Sequence, residues 1–249
     1  MPIIVIPVYK NELSEEEQKS LSQCKAVLSA YTICLVKPDS LQLSGVLLDE
    51  SFEVHSFEDR FFQGIQGYNE LLHSTFFYER FAQHDYMLIY QLDAYVFSDQ
   101  LDYWCTKGYD YIGAPWIASP RTWWNKLLLK TKSKKKQERA SIFFKVGNGG
   151  LSLRKISTFI NVCHQFPEKI KENLQRPYGD FRLMEDVFWS IQVPEFVPDF
   201  KVPDYNVALG FAFDRKPHLA LELNNGKLPF GCHGFYKPKV KAFWEKYIH

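Results

Sequence analysis

Short, wholly apolar runs alternate with longer stretches of helical periodicity through the first hundred residues. Ile3-Ile4-Val5-Ile6, closed by Pro7, is the kind of run that forms a strand buried on both faces of a parallel sheet. Ser14 followed by Glu17 is a capping-box pattern, and Leu21, Cys24 and Leu28 then recur at helical spacing, so a helix is expected to about Ala30. Tyr31 to Val36 and Phe52 to Phe57 read as the next strands. Gly67 to Phe81, with Leu71, Leu72, Thr75 and Phe76 on one face, reads as a helix, and Tyr86 to Tyr90 returns to strand character.

Strand, helix, strand, strand, helix, strand is the pattern of an α/β fold with a doubly wound parallel sheet, whose ligands bind beyond the carboxyl ends of the strands. The second half is less regular. Strand-like pieces fall at Tyr109 to Ile112, Phe143 to Val146 and Val207 to Phe213, with helices near Lys155 to Phe166 and Glu185 to Gln192. No linker-like stretch separates two hydrophobic blocks, so one domain is expected over 1–249.

Composition narrows this picture. With 46% hydrophobic and 16% aromatic residues, the chain has enough apolar surface to offset the entropy of ordering. The net charge of +1 supplies no overall field that would attract nucleic acid. Five scattered cysteines without a CxxC pair fit a reducing cytoplasm, and the absence of a basic leader before Ile3 argues against secretion. Trp123-Trp124, Leu127-Leu128-Leu129 and the basic run from Lys130 to Arg139 form one segment that stands apart. A charge run is commonly just a solvated loop, but the aromatic and leucine shoulder suits peripheral contact with an anionic membrane.

Four segments carry candidate chemistry. In Gln91-Leu92-Asp93-Ala94-Tyr95-Val96, a buried strand ends on a carboxylate, which suits a hard cation such as Mn2+ or Mg2+, although a strand-end Asp also serves as a turn former. Val146-Gly147-Asn148-Gly149-Gly150 places glycines where a strand should begin, for close approach of a ligand or for a β-bulge. Glu185-Asp186 opens an apolar helical stretch, where the helix dipole alone would favour acids. His233 lies among small residues with Lys237 a turn away, a setting in which a histidine is more often structural than a ligand.

Taken in this order, the segments resemble the metal-dependent GT-A glycosyltransferases, from Ile3-Ile4-Val5-Ile6-Pro7-Val8-Tyr9 to His233. Glu185-Asp186-Val187 looks like the triplet of the β-1,3-glycosyltransferases, and His233-Gly234 with Lys237-Pro238 looks like the closing motif of the glycogenin-type enzymes. The whole is closest to a little-characterised bacterial family with QxD in place of DxD. The resemblance implies a GT-A (Rossmann-like) mixed, mainly parallel sheet flanked by helices. It implies a divalent metal held by Asp93 and His233, Asp186 as base with Glu185 positioning acceptor or base, and inversion at the anomeric carbon. Donor contacts would come from Pro7, Val8, Tyr9, Asn69, Gln91 and Lys237, and acceptor contacts from Asn148, Gly149 and Gly150. The implied partners are a nucleoside-diphosphate sugar, UDP-sugar first, and a glycan or lipid-linked acceptor in bacterial surface polysaccharide synthesis.

QxD departs from that pattern. Aligned on the apolar tail Val96-Phe97, Gln91 stands at the first acid position and Asp93 at the last; slid by two, Asp93 would be first and Tyr95 last. Gln91 supplies hydrogen bonds without charge. The missing acid leaves room for a non-catalytic carbohydrate-binding or regulatory protein on the same scaffold. A nucleotidyltransferase would carry a glycine-rich loop after the first strand, where this chain has Tyr9-Lys10-Asn11-Glu12. A glycoside hydrolase would need two carboxylates but no nucleotide fold.

Overall fold

The computed structural model describes residues 1–118, 140–177 and 179–248. The membrane-contact segment expected from Trp123 to Arg139 lies outside them. No helix among the described residues is long and apolar enough to cross a membrane.

Strands β1 (Ile3–Pro7), β2 (Thr32–Pro38), β3 (Phe52–Phe57), β4 (Tyr86–Tyr90), β6 (Tyr111–Gly113) and β7 (Leu151–Lys155) form a six-stranded sheet in the order β3-β2-β1-β4-β7-β6. β1 pairs in parallel with β2 and β4, β2 pairs in parallel with β3, and β7 runs antiparallel to both β4 and β6. The sheet is therefore mixed and mainly parallel, as the resemblance implies; the element order alone predicts a parallel sheet, from which β7 departs by running antiparallel to both neighbours. All five residues of β1 and of β4 are buried, because helices cover both faces of a parallel sheet and leave neither side for polar alternation.

Helix α1 (Glu15–Val27) starts on the expected capping box: Ser14 Oγ accepts from the Glu17 amide at 3.2 Å, and Glu17 Oε2 accepts from the Ser14 amide at 2.7 Å. The helix expected over Gly67 to Phe81 is two helices, α2 (Gly64–Leu72) and α3 (Thr75–Glu79). Ser74 divides them. It adopts an extended backbone, and its hydroxyl donates to the Leu71 carbonyl at 2.6 Å, satisfying the end of α2 from its own side chain.

Two strand expectations in the second half fail. Phe143 to Val146 is a turn with Phe144 at φ 63°, and only Val146 makes a bridge, to Pro115. Val207 to Phe213 is mostly helix, Tyr205–Phe211, with strand confined to β8 (Ala212–Phe213). In both, a short apolar run carries no periodicity that separates strand from buried helix, and tertiary packing decides. The stretch opening on Glu185-Asp186 is helical as expected, but it widens into a π-helical turn over Phe188–Gln192.

A second, three-stranded sheet in the order β5-β9-β8 joins β5 (Ala94–Val96), β9 (Gly231–His233) and β8. Its own apolar cluster includes Tyr95, Phe213, Cys232, Phe243 and Trp244.

Between α2 and the helix Pro167–Leu174 lies His73, which is buried. Its Nδ1 is 2.6 Å from the Asn69 carbonyl and its Nε2 is 3.3 Å from Asn173 Nδ2, an arrangement that suits the neutral ring. Burial pushes its pKa from 6.5 down to about 4. The unfolded chain takes up this proton first, so stability present above pH 6.5 is lost as pH falls towards 4. His73→Gln removes the titration. At neutral pH it should be less stable by about 2 kcal/mol. The gap in melting temperature between wild type and variant should then narrow from pH 6.5 to 4, as read by thermal unfolding; parallel pH profiles would show that this ring does not set the acid limb.

Candidate active site

The carboxyl ends of β1 and β4 open on a cavity of about 760 Å³, within the range of small-molecule sites. Every site residue expected from the sequence lines it, from Pro7-Val8-Tyr9 at the end of β1 to Lys237 beyond β9. The two sheets bring these distant residues together by register.

β5 pairs antiparallel with β9 so that Ala94 faces His233, and β8 pairs in parallel with β9 so that Phe213 faces Cys232. Extending the β8 register by one residue brings Asp214 opposite His233, and extending the β5 register brings Asp93 opposite Gly234, so the two acids flank His233. The amides of Gly234 and Phe235 fix the turn by donating to the Asp93 carbonyl, at 2.7 and 3.3 Å. Below it, the buried Tyr90 hydroxyl and Ser20 Oγ both donate to the Ala94 carbonyl, at 3.1 and 2.7 Å.

His233 Nε2 stands 2.9 Å from Asp93 Oδ1 and 3.3 Å from Gln91 Oε1, while its Nδ1 faces Asp214 Oδ1 at 3.3 Å. Lys237 Nζ lies 2.9 Å from Asp93 Oδ2. Burial alone would raise the Asp93 carboxyl, but His233 and Lys237 outweigh it and hold the pKa at about 2. Burial would likewise lower the His233 imidazole, but Asp214 and Asp93 raise it to about 9.

The opposite wall is built on Arg154, a fully buried cation on β7. Its guanidinium donates to Glu185 Oε1 at 3.0 Å, to the Tyr78 hydroxyl at 3.0 Å and to Ser152 Oγ at 3.1 Å. Asn69 Oδ1 accepts from the Glu185 amide at 3.0 Å, so the start of that helix is tied to α2. Burial pushes Glu185 up to about 7 against the pull of Arg154, and burial also raises the neighbouring Asp186. Two buried polar atoms on this wall, Glu185 Oε2 and Asn69 Nδ2, have no hydrogen-bond partner among the described residues, and both residues line the cavity. Unpaired polar atoms of this kind are costly unless a ligand or water satisfies them.

Gly149 and Gly150 lie where the walls meet. A Cβ on Gly149 would come within 1.8 Å of Glu185 Oε1, and one on Gly150 within 2.1 Å of His233 Nε2 and 2.7 Å of Gln91 Oε1. The glycines therefore make room first for the protein's own functional side chains. The Gln91 amide donates to the Gly150 carbonyl at 2.8 Å, continuing the β4–β7 ladder past its last strand residues. Asn148, at φ 61°, turns its amide onto the Gly150 N–H and the His233 ring.

Two prominent members of this site were not singled out from the sequence. Asp214 follows an apolar strand as Asp93 does, and that shared signal could have found it. Arg154 had no such signal, because Leu151-Ser152-Leu153-Arg154 alternates as a half-exposed strand would.

For a divalent cation, ligands about 2.1 Å from the metal at right angles stand about 3 Å apart. The distances from His233 Nε2 to Asp93 Oδ1 and to Gln91 Oε1 fit that requirement, and Asp214 on Nδ1 would orient the imidazole as second carboxylates do at metal sites. Among the described residues, no group of three or more His, Cys, Asp and Glu side chains is placed to hold a metal. Any cation there would have Asp93, His233 and the Gln91 amide oxygen as its candidate protein ligands.

Solved glycosyltransferases share this fold. The chain is similar to the galactosyltransferase LgtC in complex with donor and acceptor sugar analogs, at 12% identity over 98% of this chain and 92% of that one, with a TM-score of 0.53. It is similar to mouse xyloside xylosyltransferase 1, at 10% identity over 96% and 99%, TM-score 0.55. A third is the glycosyltransferase GlyE of Streptococcus pneumoniae TIGR4, at 12% identity over 98% of this chain and 59% of that one, TM-score 0.52. The fold is thus the α/β, GT-A-like glycosyltransferase fold. Within it, the chain belongs to the family described as "Protein of unknown function (DUF5672)", which it matches over residues 51–233. No curated protein matches the chain.

Gly149→Ala tests the close approach on the Arg154 wall. Its methyl must displace Glu185 from Arg154, and separating a buried ion pair costs roughly 3–5 kcal/mol. Urea denaturation should show a loss of that order; wild-type stability would mean that Glu185 can move aside freely.

Proposed function

We propose that this protein is a nucleotide-sugar-dependent, metal-assisted, inverting glycosyltransferase. The observation that carries the reading is the cavity at the carboxyl ends of the parallel strands, with the Gln91, Asp93 and His233 cluster on one side and Glu185-Asp186 on the other. Residues 1–100 would supply most of the nucleotide side and residues 101–249 the acceptor side.

Asp93 and His233 would hold Mn2+ or Mg2+, with Gln91 as a third, weaker ligand and the remaining positions left to the donor's phosphate oxygens. When bound, such a cation neutralises negative charge that grows on the departing nucleoside diphosphate. Lys237 assists from within the site, its ammonium already held against Asp93. Pro7, Val8 and Tyr9 shape the nucleotide end, and Gln91 reaches donor hydroxyls. Asn69 Nδ2 is a donor awaiting a partner and Glu185 Oε2 an acceptor, so together they can hold sugar hydroxyls.

Asp186 accepts the proton of the attacking acceptor hydroxyl. Burial raises its pKa, which strengthens it as a base. Glu185, pinned by Arg154 and the Asn69 side chain, positions the acceptor, and Asn148, Gly149 and Gly150 border the junction of the two sugars. A base on the acceptor side gives direct displacement and hence inversion. We assign a UDP-sugar as donor and a glycan or lipid-linked acceptor in bacterial surface polysaccharide synthesis, at the cytoplasmic face of the plasma membrane.

Titration calorimetry of UDP with manganese, run beside a transfer assay, tests these roles. Asp93→Ala and His233→Ala should each weaken manganese-dependent binding. Asp214→Asn, which acts through the imidazole, should weaken it by about tenfold. Asp186→Asn should bind normally and turn over roughly a hundredfold or more slowly. Loss of metal-dependent binding in Asp186→Asn would move it into the metal shell, and normal turnover would remove it from the mechanism. A protein that binds no nucleotide with manganese would instead be the non-catalytic scaffold.

A further inference from the structure

A second cavity, of about 850 Å³, shares no lining residue with the first. It lies between α4 (Leu101–Thr106), the helix Tyr205–Phe211 and the segment 224–228, with Tyr31 at its edge. Tyr31 precedes the first residue of β2, so this cavity opens at the amino end of a strand whose carboxyl end points towards the donor site. Five paired residues of β1 and β2 separate the two ends, a span of about 16 Å.

We propose that this cavity binds a neutral carbohydrate chain. Its walls combine an exposed aromatic ring with hydrogen-bonding groups of both kinds, the combination a polyhydroxylated ring requires. Tyr103 is 51% exposed; Lys107 covers one side of its ring at 4.3 Å, and Trp104 stands edge-on to it. The Trp104 indole lines the cavity, and its buried N–H has no partner among the described residues. Gly210 keeps the opposite side low, since a Cβ there would already lie 3.3 Å from the Trp104 ring.

The polar groups are fixed before any ligand arrives. Asp99 Oδ1 accepts from the Tyr31 hydroxyl at 3.1 Å and from the Leu101 amide at 3.2 Å, which directs its second oxygen to other partners. Asn206 Oδ1 accepts from the Val207 amide at 3.0 Å, leaving Nδ2 as a donor. Asn224 Nδ2 donates to the Lys227 carbonyl at 2.7 Å, leaving Oδ1 as an acceptor. Hydroxyl groups both donate and accept, so such a set can satisfy several at once. Asp99 and Asp102 face the cavity beside Lys227, a balance that disfavours strongly anionic chains. This inference does not depend on the reaction proposed above, because none of its residues takes part in that site.

The test is 1H–15N NMR of the full chain, following the Trp104 indole N–H, assigned by its loss in Trp104→Phe. Linear neutral hexasaccharides of glucose, galactose, mannose and N-acetylglucosamine serve as probes. At least one should shift this resonance with a dissociation constant of about 1 mM or tighter. Tyr103→Ala, on an exposed position, should weaken that binding by roughly tenfold. UDP with manganese should leave the titration unchanged. The proposal is overturned if no probe shifts Trp104, if binding is indifferent to Tyr103→Ala, or if a uronic-acid chain or calcium alone produces the response in place of a neutral sugar. Nucleotide binding without any oligosaccharide response would refute this site alone, and the reverse would refute the transferase reading alone.

Discussion

The candidate site depends on the register of a small sheet. β9 is three residues long, yet it pairs with β5 on one side and β8 on the other, and both registers converge on His233. Asp93 and Asp214, separated by more than a hundred residues of chain, are thereby held on the two nitrogens of one imidazole. A one-residue slip would turn His233 to the opposite face, since side chains alternate along a strand. The Tyr90 and Ser20 bonds to the Ala94 carbonyl, and the Gly234 bond to the Asp93 carbonyl, pin the turn from which that register starts.

The other wall rests on a charge. Burying Arg154 carries a desolvation cost that is offset by Glu185, Tyr78 and Ser152 around it. Such a pair adds little net stability over an apolar substitute, but it fixes where Glu185 can be. The Asn69 bond to the Glu185 amide then sets the start of the helix that carries Asp186. Gly149 allows the carboxylate to sit against the backbone, so β7, α2 and that helix meet around one functional group. The unpaired atoms left on this wall are a cost that the fold's own hydrogen bonds among the described residues do not offset.

Much of the first hundred residues was legible in the sequence. Continuous apolar runs at Ile3 to Ile6 and Tyr86 to Tyr90 identify buried parallel strands, and the Ser14-Glu17 pattern identifies the start of α1, because these signals are local. Part of the cavity lining was also legible, as a strand-end acid, a glycine cluster, an acidic helix start and a late histidine, whereas Tyr68, Met184 and Tyr236, which line it too, carried no such signal. The helix break at Ser74, the turn at Phe143 to Val146 and the helix at Tyr205–Phe211 were not. Each is a short segment whose conformation is chosen by packing partners elsewhere in the chain.

What the sequence alone determined is the set of local elements and the residue types at their ends. What only the tertiary structure decided is their partnership: that Asp214 joins Asp93 at His233, that Arg154 points inward to hold Glu185, and that Gly149 and Gly150 clear space for side chains. The physical reason is range. Helix caps and apolar runs arise from interactions within a few residues, whereas strand register and the burial of a charge depend on groups far apart along the chain, whose positions no local pattern encodes.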